Sequence, residues 1–258
     1  MKPNFTIIIT TFNRPKSVLK SVNSVLLQTY TNWRLIAVID DPISNYSSLS
    51  HLSSTNPKIT LLQNKENVGK NASANRALAI LREENFAGYI IFLDDDDWLS
   101  SSCLKDFADF IENNKENKWL VSQRVNIYNQ EPFTKNTTGR TNIDYFKDCL
   151  ISHKFSGDAT HCINFERVKD ISFPTQIKNA EEWIYFSNVA TLEPIFIYLP
   201  KAGTYSRGYA EAGLTDIYHE QKQKRHNLLP IIKEIWQRKL FSPYVIFYVL
   251  IRLIRSVI

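Results

Sequence analysis

Apolar residues in the first half of the chain fall in short runs that alternate with amphipathic stretches. The runs are rich in β-branched residues and end in turn residues or acids, which predicts strands. The stretches between them space apolar residues three and four apart, which predicts helices. The predicted strands are Phe5–Thr11, Trp33–Asp40, Ile59–Gln63, Tyr89–Leu93 and Trp119–Val125. The predicted helices are one capped by Ser17, then Asn71–Leu81 and Ser102–Glu112.

This alternation predicts an α/β fold with a mostly parallel sheet flanked by helices on both faces. Ligands of such sheets bind beyond the carboxyl ends of the strands. Four polar segments are therefore expected around one rim, at residues 10–14, 40–41, 63–69 and 94–97.

The second half of the chain is less regular. We predict a helix near Asp144–Ile151, a strand at His161–Phe165, a helix at Ala180–Leu192, and strands at Ile195–Leu199 and Gly203–Ser206. A long polar helix is expected at Tyr218–Lys239, and the segment Tyr244–Ile258 is mainly apolar. The chain is therefore divided into a domain at 1–215 and a helical tail at 216–258. The tail contains basic residues and an apolar segment.

Composition places the chain among globular proteins, because 43% of its 258 residues are hydrophobic and 22% are charged. Three cysteines without a C-x-x-C pair favour the reducing cytoplasm. The N-terminal residues read as a first strand rather than a signal peptide.

The net charge of +5 is unevenly placed. Eight basic residues and one acid lie from Lys222 onward, which gives this tail +7 and leaves the body at −2. A basic tail indicates an anionic partner. Its apolar half and the lack of a DNA-binding motif favour a membrane surface over nucleic acid. At 15 residues, Tyr244–Ile258 is shorter than the ~20 residues of a spanning helix. The alternative is packing on the body or on a second subunit.

The acidic run Asp94–Asp97 directly follows the apolar strand YIIFL. Four adjacent carboxylates repel one another unless a cation compensates them. Acids at a strand end share a divalent cation with hard oxygen ligands, and such a metal neutralises a diphosphate leaving group. The competing interpretation is a solvated acidic turn that caps the next helix.

Five motifs in order resemble those of the family 2 glycosyltransferases with the GT-A fold. IIFLDDDDWL resembles the family's D-x-D segment, and TTFNRP at 10–15 resembles its opening strand-end motif. VIDDPIS at 38–44 and NVGKNASAN at 67–75 resemble the second rim motif and the helix-entry motif. Ala180-Glu181-Glu182-Trp183 resembles the Glu-Asp catalytic motif. The resemblance covers residues 4 to about 210 and implies a glycosyltransferase.

The resemblance also implies a role for each matching residue. Asp96 would be the main metal ligand, and Asp94 would be a second ligand that also contacts the sugar or ribose. The metal would be Mn²⁺ or Mg²⁺. Asp40 would accept a hydrogen bond from the base, which favours uracil and a UDP-sugar donor. Glu182 would be the general base, with Glu181 adjacent. The remaining donor-site residues would be Thr10, Phe12, Arg14, Lys70 and Asp95.

Tyr209 stands near a position where many members of the resembled family have a metal- or phosphate-binding histidine. The metal ligand on that side would then be water or His161. An isolated histidine near a strand is more often a packed residue. Glu181 and Glu182 point about 100° apart on a helix, so only one faces the cleft easily. The alternative for both is an acid-rich helix N-terminus.

The expected reaction is inverting transfer of a sugar from a UDP-sugar to an acceptor hydroxyl of a glycan or lipid-linked glycan. It would serve assembly of a surface polysaccharide or lipopolysaccharide. The protein would be peripheral on the inner face of the cell membrane, and its tail would allow oligomers. A nucleotidyltransferase is the competing enzyme class, but TTFNRP lacks a glycine-rich phosphate loop. An inactive glycan- or nucleotide-binding module is the non-enzyme alternative.

Overall fold

The structure, a computed structural model, describes residues 2–116, 118–177, 181–207 and 228–257. Its strands are β1 (Phe5–Thr11), β2 (Trp33–Ile39), β3 (Ile59–Gln63), β4 (Tyr89–Asp94), β5 (Trp98–Leu99), β6 (Trp119–Asn126), β7 (Lys135–Asn136), β8 (Asn142–Asp144), β9 (Phe155–Ser156), β10 (Ala159–Asn164) and β11 (Ile195–Ser206). Its helices are α1 (Pro15–Leu26), α2 (Ser47–Thr55), α3 (Lys70–Glu83), α4 (Cys103–Asn113), a π-helix (Tyr145–Ile151), α5 (Phe165–Val168), α6 (Glu182–Leu192), α7 (Leu228–Gln237) and α8 (Pro243–Val257).

A central sheet of nine strands organises the described residues, in the order β3-β2-β1-β4-β10-β6-β11-β5, with β8 beside β11. Strands β1 to β4 pair in parallel, and β11 runs parallel to β6. Strand β10 lies antiparallel between β4 and β6. The predicted α/β fold with a helix-flanked sheet is confirmed. The sheet is mixed because its second half contributes antiparallel strands, and hydrophobic periodicity does not report the direction in which strands pair.

Both faces of the sheet are buried, as expected for strands that carry apolar residues on both faces. On β1, Phe5, Ile7 and Ile9 join one core with α1 and α4. Ile8 points to the other core, which contains α3, the π-helix and α6. The same core includes Ile231 of α7 and Val245 of α8. The two C-terminal helices therefore pack on the α/β domain rather than extend from it.

Several element boundaries differ from the sequence predictions. Helix α1 begins at Pro15 and not behind Ser17, because the fixed φ of proline suits the first helical turn. Strand β11 runs through Ile195–Ser206 as one element, with register irregularities where two strands were predicted. Helix α2 was not predicted, since its Ser-rich sequence carries little helical signal.

The predicted tail is only partly described. The predicted boundary between residues 215 and 216, Tyr209, and the first part of the predicted helix Tyr218–Lys239 lie outside the described residues. The described part, α7, is amphipathic and ends at Gln237. Within the described ranges, no helix is long and apolar enough to cross a membrane.

Candidate active site

The carboxyl ends of β1, β2 and β4 meet at one rim, as predicted. Thr10 and Asp94 are partners in the β1–β4 register, and Thr11 is the partner of Ile39 on β2. Phe12 follows β1 with half of its surface exposed. The first strand therefore ends beside the acidic run.

Asp40, at the end of β2, is buried rather than open to the rim. Its carboxylate accepts hydrogen bonds from Asn64 Nδ2 at 2.8 Å and from the backbone N–H groups of Val68 and Gly69 at 2.9 and 2.8 Å. It is 3% exposed. This differs from the expected direct contact with a base, because the carboxylate instead fixes the loop that leads into α3.

The four adjacent aspartates have different partners. Asp95 turns inward, where it accepts hydrogen bonds from Thr11 Oγ1 at 2.7 Å and Arg14 Nη1 at 3.0 Å. Arg14 Nη1 also lies 2.8 Å from Asp96 Oδ2. Burial raises the pKa of Asp95 to about 6, although Thr11 and Arg14 oppose the shift. Asp95 is therefore held by Thr11 and Arg14.

Asp97, which the sequence analysis did not single out, is buried on the far side of the run. Arg124 of β6 holds it through Nε–Oδ2 and Nη2–Oδ1 distances of 2.9 and 3.0 Å. The same guanidinium lies 2.6 Å from Asp158 Oδ2. Burial raises the pKa of Asp97 to about 7, against the opposing charge of Arg124.

Asp94, Asp96 and Asp97 form a cluster that fits a divalent metal. Each offers one carboxylate oxygen, and these oxygens all lie within 4.8 Å of one another. An all-oxygen set of this kind suits Mg²⁺ or Mn²⁺. The expected ligands Asp94 and Asp96 are thus brought together, and Asp97 joins them. Asp97 could have been found from its place in the run of four acids, whereas Arg124 carries no local signal.

His161 does not belong to this cluster. It is packed between Trp119, whose Nε1 donates to His161 Nδ1 at 3.0 Å, and Phe186, which stacks on it at 4.2 Å. Burial lowers its pKa to about 3. The possibility that His161 binds the metal is therefore replaced by a packing role.

Lys70 links the acidic run to α6. Its Nζ lies 2.6 Å from Asp94 Oδ1 and 2.8 Å from Glu182 Oε1. Burial alone would lower the pKa of Lys70, but the two carboxylates outweigh it and hold that pKa well above its usual value. The charge of Lys70 also lowers the pKa of Asp94. A fixed cation therefore stands between two groups of anionic oxygens.

The two adjacent glutamates at the start of α6 face opposite ways. Glu182 is the first residue of the helix and lines the open cavity. Glu181 precedes it in the left-handed conformation, with φ 59° and ψ 30°. Its carboxylate is buried against Arg252 of α8 and accepts a hydrogen bond from Trp183 Nε1. Only Glu182 is thus directed to the rim.

A cavity of about 390 Å³ extends from the acidic run to α8. Its polar part contains Lys70, Asp94, Asp97, Arg124 and Glu182. Its other walls are mainly aromatic: Tyr145, His153, Phe155, Trp183, Phe186 and Tyr248. Such a lining, with few convergent charged groups, is typical of a binding site for an organic molecule.

An α/β domain with an acidic cluster at the sheet rim is the arrangement of GT-A glycosyltransferases. The sequence profile described as glycosyl transferase family 2 matches residues 6–169, so the chain belongs to that family.

Two curated relatives are glycosyltransferases of Escherichia coli. The putative colanic acid biosynthesis glycosyl transferase WcaA is 23% identical over 210 residues, which cover 72% of this chain and 74% of WcaA. The UDP-Glc:α-D-GlcNAc-diphosphoundecaprenol β-1,3-glucosyltransferase WfgD is 32% identical over 110 residues, 42% of either chain.

Solved structures confirm the fold. Staphylococcus aureus TarS 1–349 in complex with UDP has a TM-score of 0.62 at 21% identity. The alignment covers 89% of this chain and 65% of the TarS chain. The mannosyltransferase PcManGT of Pyrobaculum calidifontis, with GDP-Man and Mn²⁺, has a TM-score of 0.60 at 15% identity, covering 100% and 76%. This chain thus spans less than two thirds of TarS 1–349 and of WfgD.

Proposed function

We propose that this protein transfers a sugar from a UDP-sugar to an acceptor hydroxyl with inversion at the anomeric carbon. The observation that carries the proposal is the position of Lys70, whose Nζ lies 2.6 Å from Asp94 Oδ1 and 2.8 Å from Glu182 Oε1. A donor diphosphate and a base would therefore meet across one cavity. The relatives WfgD, by its printed name, and TarS, by its UDP complex, support a uridine nucleotide.

The donor would lie along the rim of the sheet. Thr10, near the end of β1, and Phe12 and Arg14, which follow it, would border the base and the diphosphate. Asp40 would shape this pocket through the loop that it holds. Lys70 would exchange its carboxylate contacts for the diphosphate oxygens, since phosphate oxygens are equally good partners for an ammonium group.

Asp94, Asp96 and Asp97 would hold Mn²⁺ or Mg²⁺. Bound there, the metal would supply positive charge to the leaving diphosphate. Arg14 and Arg124 neutralise parts of the run in the structure, so binding would require them to share these carboxylates. Asp95, turned toward Thr11, would only support the other three.

Glu182 would take the proton of the acceptor hydroxyl. The acceptor oxygen then forms a bond to the anomeric carbon while the bond to the diphosphate oxygen breaks, and UDP leaves with the electron pair. Attack opposite the leaving group inverts the centre. General base catalysis of this kind contributes about 10²–10⁴ in rate.

The acceptor would be a glycan or a lipid-linked glycan of a surface polysaccharide. This rests on WfgD and WcaA, whose printed names place them on a diphosphoundecaprenol acceptor and in colanic acid biosynthesis. Three free cysteines are consistent with the cytoplasmic side of the membrane.

Attachment to an anionic membrane surface would involve α8, whose exposed face carries Ile246, Phe247, Leu250 and Ile254. Lys233 of α7 and Lys239, between α7 and α8, are exposed basic residues that suit an anionic surface. Arg252 would not meet lipid headgroups, because it pairs with Glu181. The alternative is that this face packs against a second copy of the chain.

The test is a panel of UDP-glucose, UDP-N-acetylglucosamine and GDP-mannose, each with Mn²⁺ and a lipid-linked glycan acceptor, with acceptor-dependent nucleotide release as the readout. Release of UDP that stops with EDTA is expected. Release only from GDP-mannose would overturn the uridine part, and no release from any donor would overturn the proposed function.

A further inference from the structure

Helix α8 reaches the start of α6 through a partly buried ion pair. The guanidinium of Arg252 faces both carboxylate oxygens of Glu181, with an Nη2–Oε1 distance of 2.8 Å and a second contact from Nη1 to Oε2. The side chains are 27% and 10% exposed. A two-pronged pair of this kind fixes orientation as well as distance.

The pair acts where α6 begins. Glu181 adopts the left-handed conformation, φ 59°, which is uncommon for a residue with a side chain and persists only where surroundings hold it. Within the helix start that the structure describes, Glu181 makes no side-chain capping bond. Its carboxylate is held instead by Arg252 and by Trp183 Nε1. The direction of the first turn thus depends on a contact from the C-terminal helix.

The two neighbours of Glu182 in sequence are both turned toward α8. Glu181 pairs with Arg252, and the ring of Trp183 lies 4.9 Å from that of Tyr248. Glu182, between them, turns the other way and meets Lys70 of α3. Tyr248 also lines the cavity, so α8 supplies part of its wall.

We propose that Arg252 is a positioning residue for Glu182, the base in the proposed function on which this inference rests. By holding Glu181, Arg252 fixes the first turn of α6, so that the Glu182 carboxylate points into the cavity. The C-terminal helix is thereby part of the active site.

The experiment compares Arg252→Met with the parent by steady-state UDP release, using the donor that the parent turns over with Mn²⁺. Methionine keeps the apolar volume of the arginine stem and removes the fork. Because a misplacement near 1 Å costs up to about 10²-fold, kcat is expected to fall by about 10- to 100-fold. The KM of the donor is expected to stay within about 3-fold, since the donor contacts lie elsewhere. Arg252→Lys is expected to be intermediate, because it keeps the charge without the fork.

Two variants separate positioning from general support. Arg167→Met removes an ion pair to Glu193 at the opposite end of α6, and parent-like kcat is expected. Val245→Ala loosens the packing of α8 and keeps the Arg252 pair. At the same loss of thermal stability, we expect its kcat to fall less than that of Arg252→Met. Equal kcat losses in Val245→Ala and Arg252→Met would overturn the proposal.

A double variant tests the route through Glu181. If Arg252 acts through that carboxylate, Glu181→Gln with Arg252→Met loses no more kcat than the larger single loss. Additive losses overturn the proposal, as does parent-like kcat in Arg252→Met. Parent protein that releases no UDP instead overturns the proposed function itself.

Discussion

Lys70 and Glu182 lie 112 positions apart in sequence, yet the Nζ of one stands 2.8 Å from Oε1 of the other. Lys70 begins α3 and Glu182 begins α6, so the contact joins the first residues of two helices. Asp94 completes the arrangement from the end of β4. Donor binding would therefore have to rearrange a contact that also involves the proposed base.

Glu182 and Glu181 are expected to differ sharply on replacement by glutamine. Glu182→Gln should lower kcat by about 10²–10⁴ and leave donor affinity near that of the parent, because only the proton acceptor is lost. Glu181→Gln should lose less, since its carboxylate pairs with Arg252 and not with the cavity. Kinetics of both variants with titration of UDP measure this. Near-parent turnover in Glu182→Gln would exclude it as the base.

Lys70→Met is expected to weaken UDP binding by about 10- to 100-fold, the range of a charge-assisted hydrogen bond. Lys70→Arg should keep much of the affinity, because guanidinium also binds phosphate oxygens. Lys58→Met is the matched control, since Lys58 lies over Trp33 and bonds to Thr31 O. Calorimetry with UDP and Mn²⁺ decides the point; equal affinity in Lys70→Met and Lys58→Met would contradict it.

Asp96→Asn and Asp94→Asn are expected to remove the part of UDP affinity that depends on Mn²⁺. Each replaces a charged oxygen in the cluster of three. Asp106→Asn, which changes an acid paired with Lys201, is the control. Calorimetry with Mn²⁺ and with EDTA measures the difference. Parent protein with the same affinity in both conditions would remove the metal from the mechanism.

Gly157→Ala is expected to destabilise the fold more than Gly139→Ala. Both glycines have positive φ, 82° and 69°, where a side chain costs about 1–3 kcal/mol. At Gly157 the new Cβ would also stand 1.9 Å from Phe133 O, whereas nothing lies within 4 Å at Gly139. This overlap adds about 1–3 kcal/mol. Urea unfolding gives the difference, and equal losses would show that the Phe133 segment yields freely.

Leu250→Glu combined with Ile254→Glu is expected to abolish flotation with vesicles that contain anionic phosphatidylglycerol. Both residues are exposed on α8, so the change removes apolar surface and adds like charge without altering the buried face. Leu27→Glu, on the exposed end of α1, is the control and should float like the parent. Parent protein that fails to float would contradict membrane attachment and favour a second subunit.

The sequence by itself predicted the sheet, the rim and the family. Strands β1, β2 and β4 carry apolar residues on both faces, because both faces of the sheet are covered, and this produces a strong local signal. Acids or turn residues follow each strand, so the rim was predictable from order alone. The resemblance of five motifs then indicated the family that the profile match confirms.

Only the tertiary structure decided how individual side chains are used. Arg124 meets Asp97, and Arg252 meets Glu181, from 27 and 71 positions away in sequence. No local periodicity encodes such pairs, because they depend on how β6 and α8 pack against the rim. The orientations of Glu181 and Glu182 were open for the same reason: helix geometry predicts only that neighbouring side chains diverge. The packing decides that Glu181 meets Arg252 and Glu182 meets Lys70.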